Sequence, residues 1–102
     1  MSEDEVQAAA EQHLLSQGYR VVARDYRTAW GRLDFVCRDG PVLAFVQVRD
    51  PRNAKPGEAE REALARTAAD FLGNRGWWHF VCRFDAVVVS PDGWVELVRD
   101  SW

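Results

Sequence analysis

GRLDFVCRDGPVLAFVQVR, residues Gly31 to Arg49, decides the fold: two apolar runs meet at a turn, with polar residues at short intervals. Successive side chains of an extended chain point to opposite faces, so Arg32 and Asp34 project together while Leu33, Phe35 and Cys37 take the other side. Asp39-Gly40 is a strong hairpin signal, and Pro41 cannot extend a paired ladder, which puts the reversal there. The second run, Val42 to Val48, is almost continuously apolar and reads as a central strand covered on both faces. Gln47 and Arg49 share a face at its end. Pairing the two runs gathers Arg32, Asp34, Gln47 and Arg49 into one polar cluster at a strand end.

On the N-terminal side, Ser2 and Glu5 form a capping box, and Glu3 and Asp4 put negative charge at a helix start, where the dipole favours it. Val6, Ala9, Ala10, His13 and Leu14 follow at helical spacing until Gly18 stops the helix. His13 has no acidic or Cys partner spaced to help it and reads as a partly buried core histidine. Tyr19 to Arg24 is predicted as a strand, and Asp25 to Trp30 as an Arg-bearing loop leading to the hairpin. On the C-terminal side, DPRNAKPG (Asp50 to Gly57) reads as a loop carrying Arg52 and Lys55. Glu58 to Leu72 reads as a second helix, with Leu64, Ala68, Phe71 and Leu72 as its apolar stripe, a solvated charged face and Gly73 as its stop. Trp77, Trp78, His79 and Phe80 lead into a strand from Val81 to Ser90, Pro91-Asp92-Gly93 turns the chain, and Trp94 to Val98 closes the sheet. Two adjacent tryptophans in extended backbone point opposite ways, so one of Trp77 and Trp78 is expected on the surface, as edge packing or as a homodimer or protein-partner contact.

The 102 residues have room for one domain, residues 1–102, and 28% of them are charged, an ordinary globular balance. The N-terminus is acidic where a secretory signal is basic, and no apolar run approaches a membrane span, so a cytoplasmic location and no membrane partner are expected. Cys37 and Cys82 lack a CxxC partner or a nearby histidine and read as buried, reduced thiols rather than zinc ligands. A net charge of −3 argues against a protein that coats nucleic acid by global attraction. The distribution is uneven: residues 1–19 hold four acids and no Lys or Arg, residues 20–55 eight bases and four acids, and residues 56–102 five bases and eight acids. The basic third carries the hairpin, where it offers a local face to a phosphate backbone at low affinity.

The order Gly31-x-x-Asp34, a short hairpin, then Val46-x-Val48-x closing a buried strand resembles the bacterial YraN-type proteins of the PD-(D/E)XK nuclease superfamily, relatives of Holliday-junction resolvases. GYRVVARDYR (18–27), CRFDAVVV (82–89) and VELVRDSW (95–102) extend the resemblance over most of the chain. It implies an α/β domain with a mixed central sheet flanked by helices, the restriction-endonuclease-like fold, and a metal-dependent endonuclease activity. The order of helix, three strands, helix, and two or three strands fits that fold.

The site residues depart from the family pattern. Where the family has a Glu two residues before the Asp, a Glu-x-Lys ending the strand and a Glu on the first helix, this chain has Arg32, Gln47, Arg49 and Gln7; an early Lys of the second helix falls at Glu60. The motif positions are thus Asp34, Gln47 and Arg49, with only Asp34 kept. Mg²⁺ is a hard cation held by two or three carboxylates and the scissile phosphate. Two guanidinium groups would instead repel this dication by roughly 8 kcal/mol each at about 4 Å and an effective dielectric of about 20. Arg49 gives up no proton to act as a base, but it can grip phosphate through two parallel hydrogen bonds.

Three roles stay open for the cluster: an ion-paired strand end, a phosphate grip through Arg27, Arg32, Arg49 and Arg52, or a metal site taking Mg²⁺ or Mn²⁺ with Asp34, Gln47 and a further acid such as Glu11. The first two need no cofactor. They imply a catalytically impaired nuclease-like protein with at most weak DNA binding; the third implies a working endonuclease on branched or single-stranded DNA. Trp30 is a candidate stacking surface for an unpaired base, and Arg83 and Asp85 read as a structural ion pair.

Overall fold

The computed structural model describes residues 1–102. Two helices, α1 (Glu3–Ser16) and α2 (Glu58–Arg75), flank a five-stranded sheet of β1 (Arg20–Arg27), β2 (Arg32–Asp39), β3 (Val42–Arg49), β4 (Val81–Val89) and β5 (Val95–Val98). The strands lie in sequence order. Only β3 and β4 run parallel, because only they are joined by a helical crossover, and every other pair is antiparallel. This is the expected α/β class: a mixed sheet flanked by helices. No helix is long and apolar enough to cross a membrane.

Each face of the sheet carries its own core. Ala10 and Leu14 of α1 pack with Phe35, Cys37, Ala44, Val46, Val87 and Val89 on one side. Leu64, Ala68, Phe71 and Leu72 of α2 pack with Leu33, Val36, Leu43 and Phe45 on the other. β3 is buried on both faces, which is why its sequence is a run rather than an alternation. The capping box of α1 is made as expected, Ser2 accepting from the Glu5 amide and Glu5 from the Ser2 amide.

Several local expectations are corrected. Asp39 is the last residue of β2 and pairs with Val42, so the turn residues are Gly40, at φ +59°, and Pro41. β1 runs on through Tyr26 and Arg27, which pair with Leu33 and Arg32, and shortens the loop to residues 28–31. Leu33 does not share a face with Phe35 and Cys37. Alternation breaks at Asp34, opposite Asp25, whose φ of +51° lies in the left-handed region. Helix α2 passes through Gly73 and ends at Gly76, whose left-handed conformation (φ +68°) makes it the better stop. Trp77 and Trp78 sit in a turn rather than a strand; Trp77 packs on Phe71 and Phe80, and Trp78 is 63% exposed. Cys37 is buried, but Cys82 is exposed, because the start of β4 runs past the residues that β5 covers.

Candidate functional site

The break at Asp34 builds the site. Past Phe35, β2 stops pairing with β3, and side chains take over from the ladder: Asp34 Oδ2 accepts from the Val48 amide at 2.8 Å, and Gln47 Nε2 donates to the Arg32 carbonyl at 2.5 Å. The splayed strand ends, the start of α1 and the first turns of α2 enclose a cleft of about 580 Å³. Gln7, Arg32, Asp34, Gln47 and Arg49, the five positions singled out by the hairpin and the resemblance, all line it.

Asp34 is nearly enclosed. Besides the Val48 amide it accepts from Gln7 Nε2 at 3.0 Å through Oδ1, and Arg32 Nη2 lies 2.9 Å from the same oxygen. Arg32 also reaches Asp25, with Nε 2.9 Å from Oδ1, and Glu3, with Nη1 at 3.4 Å from Oε1. The buried Nε makes no hydrogen bond, so its contact with Asp25 is an ion pair alone. Arg49 is more deeply committed. Its side chain is 5% exposed, donates to both carboxylate oxygens of Glu60 at 2.6 and 3.1 Å, and gives Nε to the Asn53 carbonyl at 2.9 Å. Glu60 is thus not part of a merely solvated face. It sits in the first turn of α2 and lines the cleft beside Arg49.

The acids that reach the cleft from other elements reverse its charge. Four hairpin residues suggested a positive site, yet the lining side chains hold two arginines, Arg32 and Arg49, against Glu3, Asp34, Asp50 and Glu60. The lining includes no Ser, Thr, Cys, His, Lys or Tyr. No group of three His, Cys, Asp or Glu is placed to hold a metal ion anywhere in the chain.

The remaining predicted residues lie outside the cleft. Arg27 lines a neighbouring groove of about 380 Å³ and pairs with Asp25 at 2.9 Å. Arg52, 89% exposed on a short 3-10 turn (Pro51–Asn53), bonds Asp50. That hydrogen bond and the Arg52 amide hold the Asp50 carboxyl below its ordinary range. Glu11 does not line the cleft with Gln47; it lines the neighbouring groove with Asp34, where both its oxygens accept from Arg24 at 2.7 Å, and this bond lowers its pKa.

Trp30 stands at the cleft mouth on a turn built to hold it. The Thr28 amide donates to the Gly31 carbonyl at 2.8 Å, and the amides of Trp30 and Gly31 donate back to Thr28 Oγ1 at 3.2 and 3.3 Å. The Thr28 hydroxyl lies 3.1 Å from the hydroxyl of buried Thr67 of α2, which in turn donates to the Ala63 carbonyl. A Cβ at Gly31 would come within 3.3 Å of Thr67 Oγ1, a tight contact that glycine avoids.

A family model described as "Uncharacterised protein family UPF0102" matches residues 6–89, from within α1 to the end of β4. The chain belongs to this family, the YraN-type proteins. Among its UPF0102 relatives, the UPF0102 protein of Methylobacillus flagellatus is 37% identical over 109 residues, covering 97% of this chain and 94% of its own. UPF0102 protein STH1475 of Symbiobacterium thermophilum is 42% identical over 92 residues, 83% of this chain and 77% of its own. The UPF0102 protein of Desulfosudis oleivorans is 34% identical over 102 residues, 92% and 83% of the two chains. The UPF0102 match takes in every cleft residue from Val6 to Val89.

Proposed function

We propose that this UPF0102 chain is a nuclease-like PD-(D/E)XK domain that does not cut through a divalent metal and binds nucleic acid weakly through cations around its cleft. The observation that carries the reading is the Arg49–Glu60 pair, a buried guanidinium on a carboxylate that is 43% exposed. At the position where the resembled motif has its lysine, that guanidinium consumes both oxygens of a carboxylate that lines the cleft with Asp34. Asp34 in turn spends its oxygens on Gln7, Arg32 and the Val48 amide. Mg²⁺ and Mn²⁺ need several free oxygen ligands at short range, so these residues do not fit such an ion. Phosphate contact passes from Arg49 to Arg27 and Arg52. Their pairs with Asp25 and Asp50 are solvent-exposed and weak, and exchange readily for a phosphate.

Branched and single-stranded DNA should survive incubation with Mn²⁺. Cleavage that disappears in Asp34→Ala would overturn the reading. Binding should weaken with salt at a log–log slope of about −1.5, the value for two phosphate contacts, and a flat response would leave no phosphate contact to explain. Arg32→Glu, Gln47→Glu and Arg49→Lys together should create Mn²⁺ affinity measurable by calorimetry. Equal affinity in the parent would refute the loss of metal binding.

A second reading, self-association, rests on Trp78 and Val81, both well exposed at the start of β4. It predicts a concentration-dependent mass that Trp78→Ala abolishes.

A further inference from the structure

We infer that the cleft takes the base, not the phosphate, of an unpaired nucleotide, with Trp30 as its stacking surface. The inference rests on the proposed nucleic-acid binding and assigns the class of nucleic acid. Trp30 is 49% exposed, although the turn that carries it is pinned by hydrogen bonds to Thr28 and, through Thr28, to buried Thr67. The backbone beneath this large aromatic ring is ordered in advance, so less ordering is needed when a flat partner arrives. The indole borders two hollows, the main cleft and a shallower one of about 230 Å³ over Ala59 and Ala63 of α2. A planar group therefore has room beside the ring.

Charge decides which part of the nucleotide enters. Four carboxylates against two ion-paired arginines and the Met1 amine leave the cleft lining net negative, which disfavours a phosphate. A nucleobase is neutral and brings a π face and hydrogen-bonding edges. Gln47 meets it in the cleft with a carbonyl oxygen that has no partner in the protein, because only its Nε2 is spent, on the Arg32 carbonyl. The exposed cations, Arg27 and Arg52, lie outside the cleft lining, where a backbone would pass with its base turned inward. A duplex keeps its bases stacked on one another and cannot offer a face to Trp30. The fitting ligand is a single strand, a loop or a strand end.

The test compares three fluorescent probes of about 20 nucleotides by anisotropy at low salt: a single strand of thymidines, an abasic single strand with the same backbone, and a duplex. The thymidine strand should bind about tenfold more tightly than either of the others. Trp30→Ala should lower it to the abasic level, Trp30→Phe should retain most of the difference, and Trp94→Ala, at an exposed tryptophan outside the cleft, should change nothing. An unchanged melting temperature in Trp30→Ala would show that the turn survives, its hydrogen bonds coming from Thr28 and the backbone. Equal binding of the thymidine and abasic strands, or indifference to Trp30→Ala, would overturn the inference while a salt-dependent response kept the proposed function standing. Failure to bind any probe would overturn both.

Discussion

Two polar clusters sit under the two ends of α1, built from nearly the same residue types, and they behave as opposites. Beyond the C-terminal end, Asp85 accepts from Tyr19 Oη at 2.6 Å, from Arg83 at 2.8 and 2.9 Å and from the Asp100 amide at 2.9 Å. Its side chain has no exposed surface. Arg83 continues to Asp39 at 2.8 Å and lies 2.8 Å from Tyr19 Oη, so the network closes on itself. Burial and the hydrogen bond to Asp85 push the Tyr19 hydroxyl far above the usual phenol range, and the bonds to Asp85 raise Arg83. Under the N-terminal end, Asp34 likewise holds an arginine, a neutral side chain and an amide, but it borders two hollows. Residue identity therefore does not separate scaffold from site: an Asp with an Arg two residues before it occurs in both. What separates them is whether the surrounding elements leave room for a ligand.

The sharpest way to break that comparison is the same substitution in both places. Asp85→Ala should lower unfolding free energy by about 4 kcal/mol, because Arg83 and the Tyr19 hydroxyl lose a buried partner that water cannot replace. That is a large share of a small domain's total stability. Asp34→Ala should lose about 2 kcal/mol, since water from the cleft can take over from the carboxylate. Equal losses in urea unfolding would mean that the cleft is as closed as the other network. Glu60→Gln comes next, at about 1 kcal/mol. The amide keeps one bond to Arg49 but leaves a guanidinium, 5% exposed, without its counter-ion. A smaller loss would show Arg49 turning outward, which would also raise phosphate binding.

Legibility followed the range of the determining interaction. The hairpin, the capped α1, the doubly buried β3 and the convergence of Gln7, Arg32, Asp34, Gln47 and Arg49 were all readable, since each depends on a period, a local cap or a motif position. The switch of faces at Asp34 was not, because it depends on a left-handed Asp25 across the sheet, at a residue type only modestly inclined to it. Glu60 was missed as a cleft residue because its partner lies 11 positions away on another element. The Tyr19–Asp85 bond joins residues 66 apart, beyond any pattern in a single sequence. The sign of the cleft is hidden for the same reason: the hairpin is basic, and Glu3, Asp50 and Glu60 come from outside its strands.

The smallest effect is the acid limb of stability, and it reports on the closed cluster. The hydrogen bond from Arg83 holds Asp39 below its ordinary pKa of 3.8, against a smaller opposing effect of burial, with the charges of Arg83 and Arg99 assisting. A carboxyl that is more acidic folded than unfolded gives the unfolded chain the greater proton uptake. Its contribution is therefore fully present above pH 3.8 and is lost as pH falls through the folded value. Glu11, lowered by Arg24, adds a limb of the same sign from its ordinary 4.5. Because Asp39 is partly open to solvent, Asp39→Asn should remove well under about 1 kcal/mol, seen as a shallower fall of the urea midpoint between pH 5 and 3 at fixed ionic strength. An unchanged slope would mean that Asp85 alone holds Arg83. The closed network would then end at one buried carboxylate, with Asp39 a bystander at the hairpin, and the contrast with the cleft would rest on burial rather than on the number of linked charges.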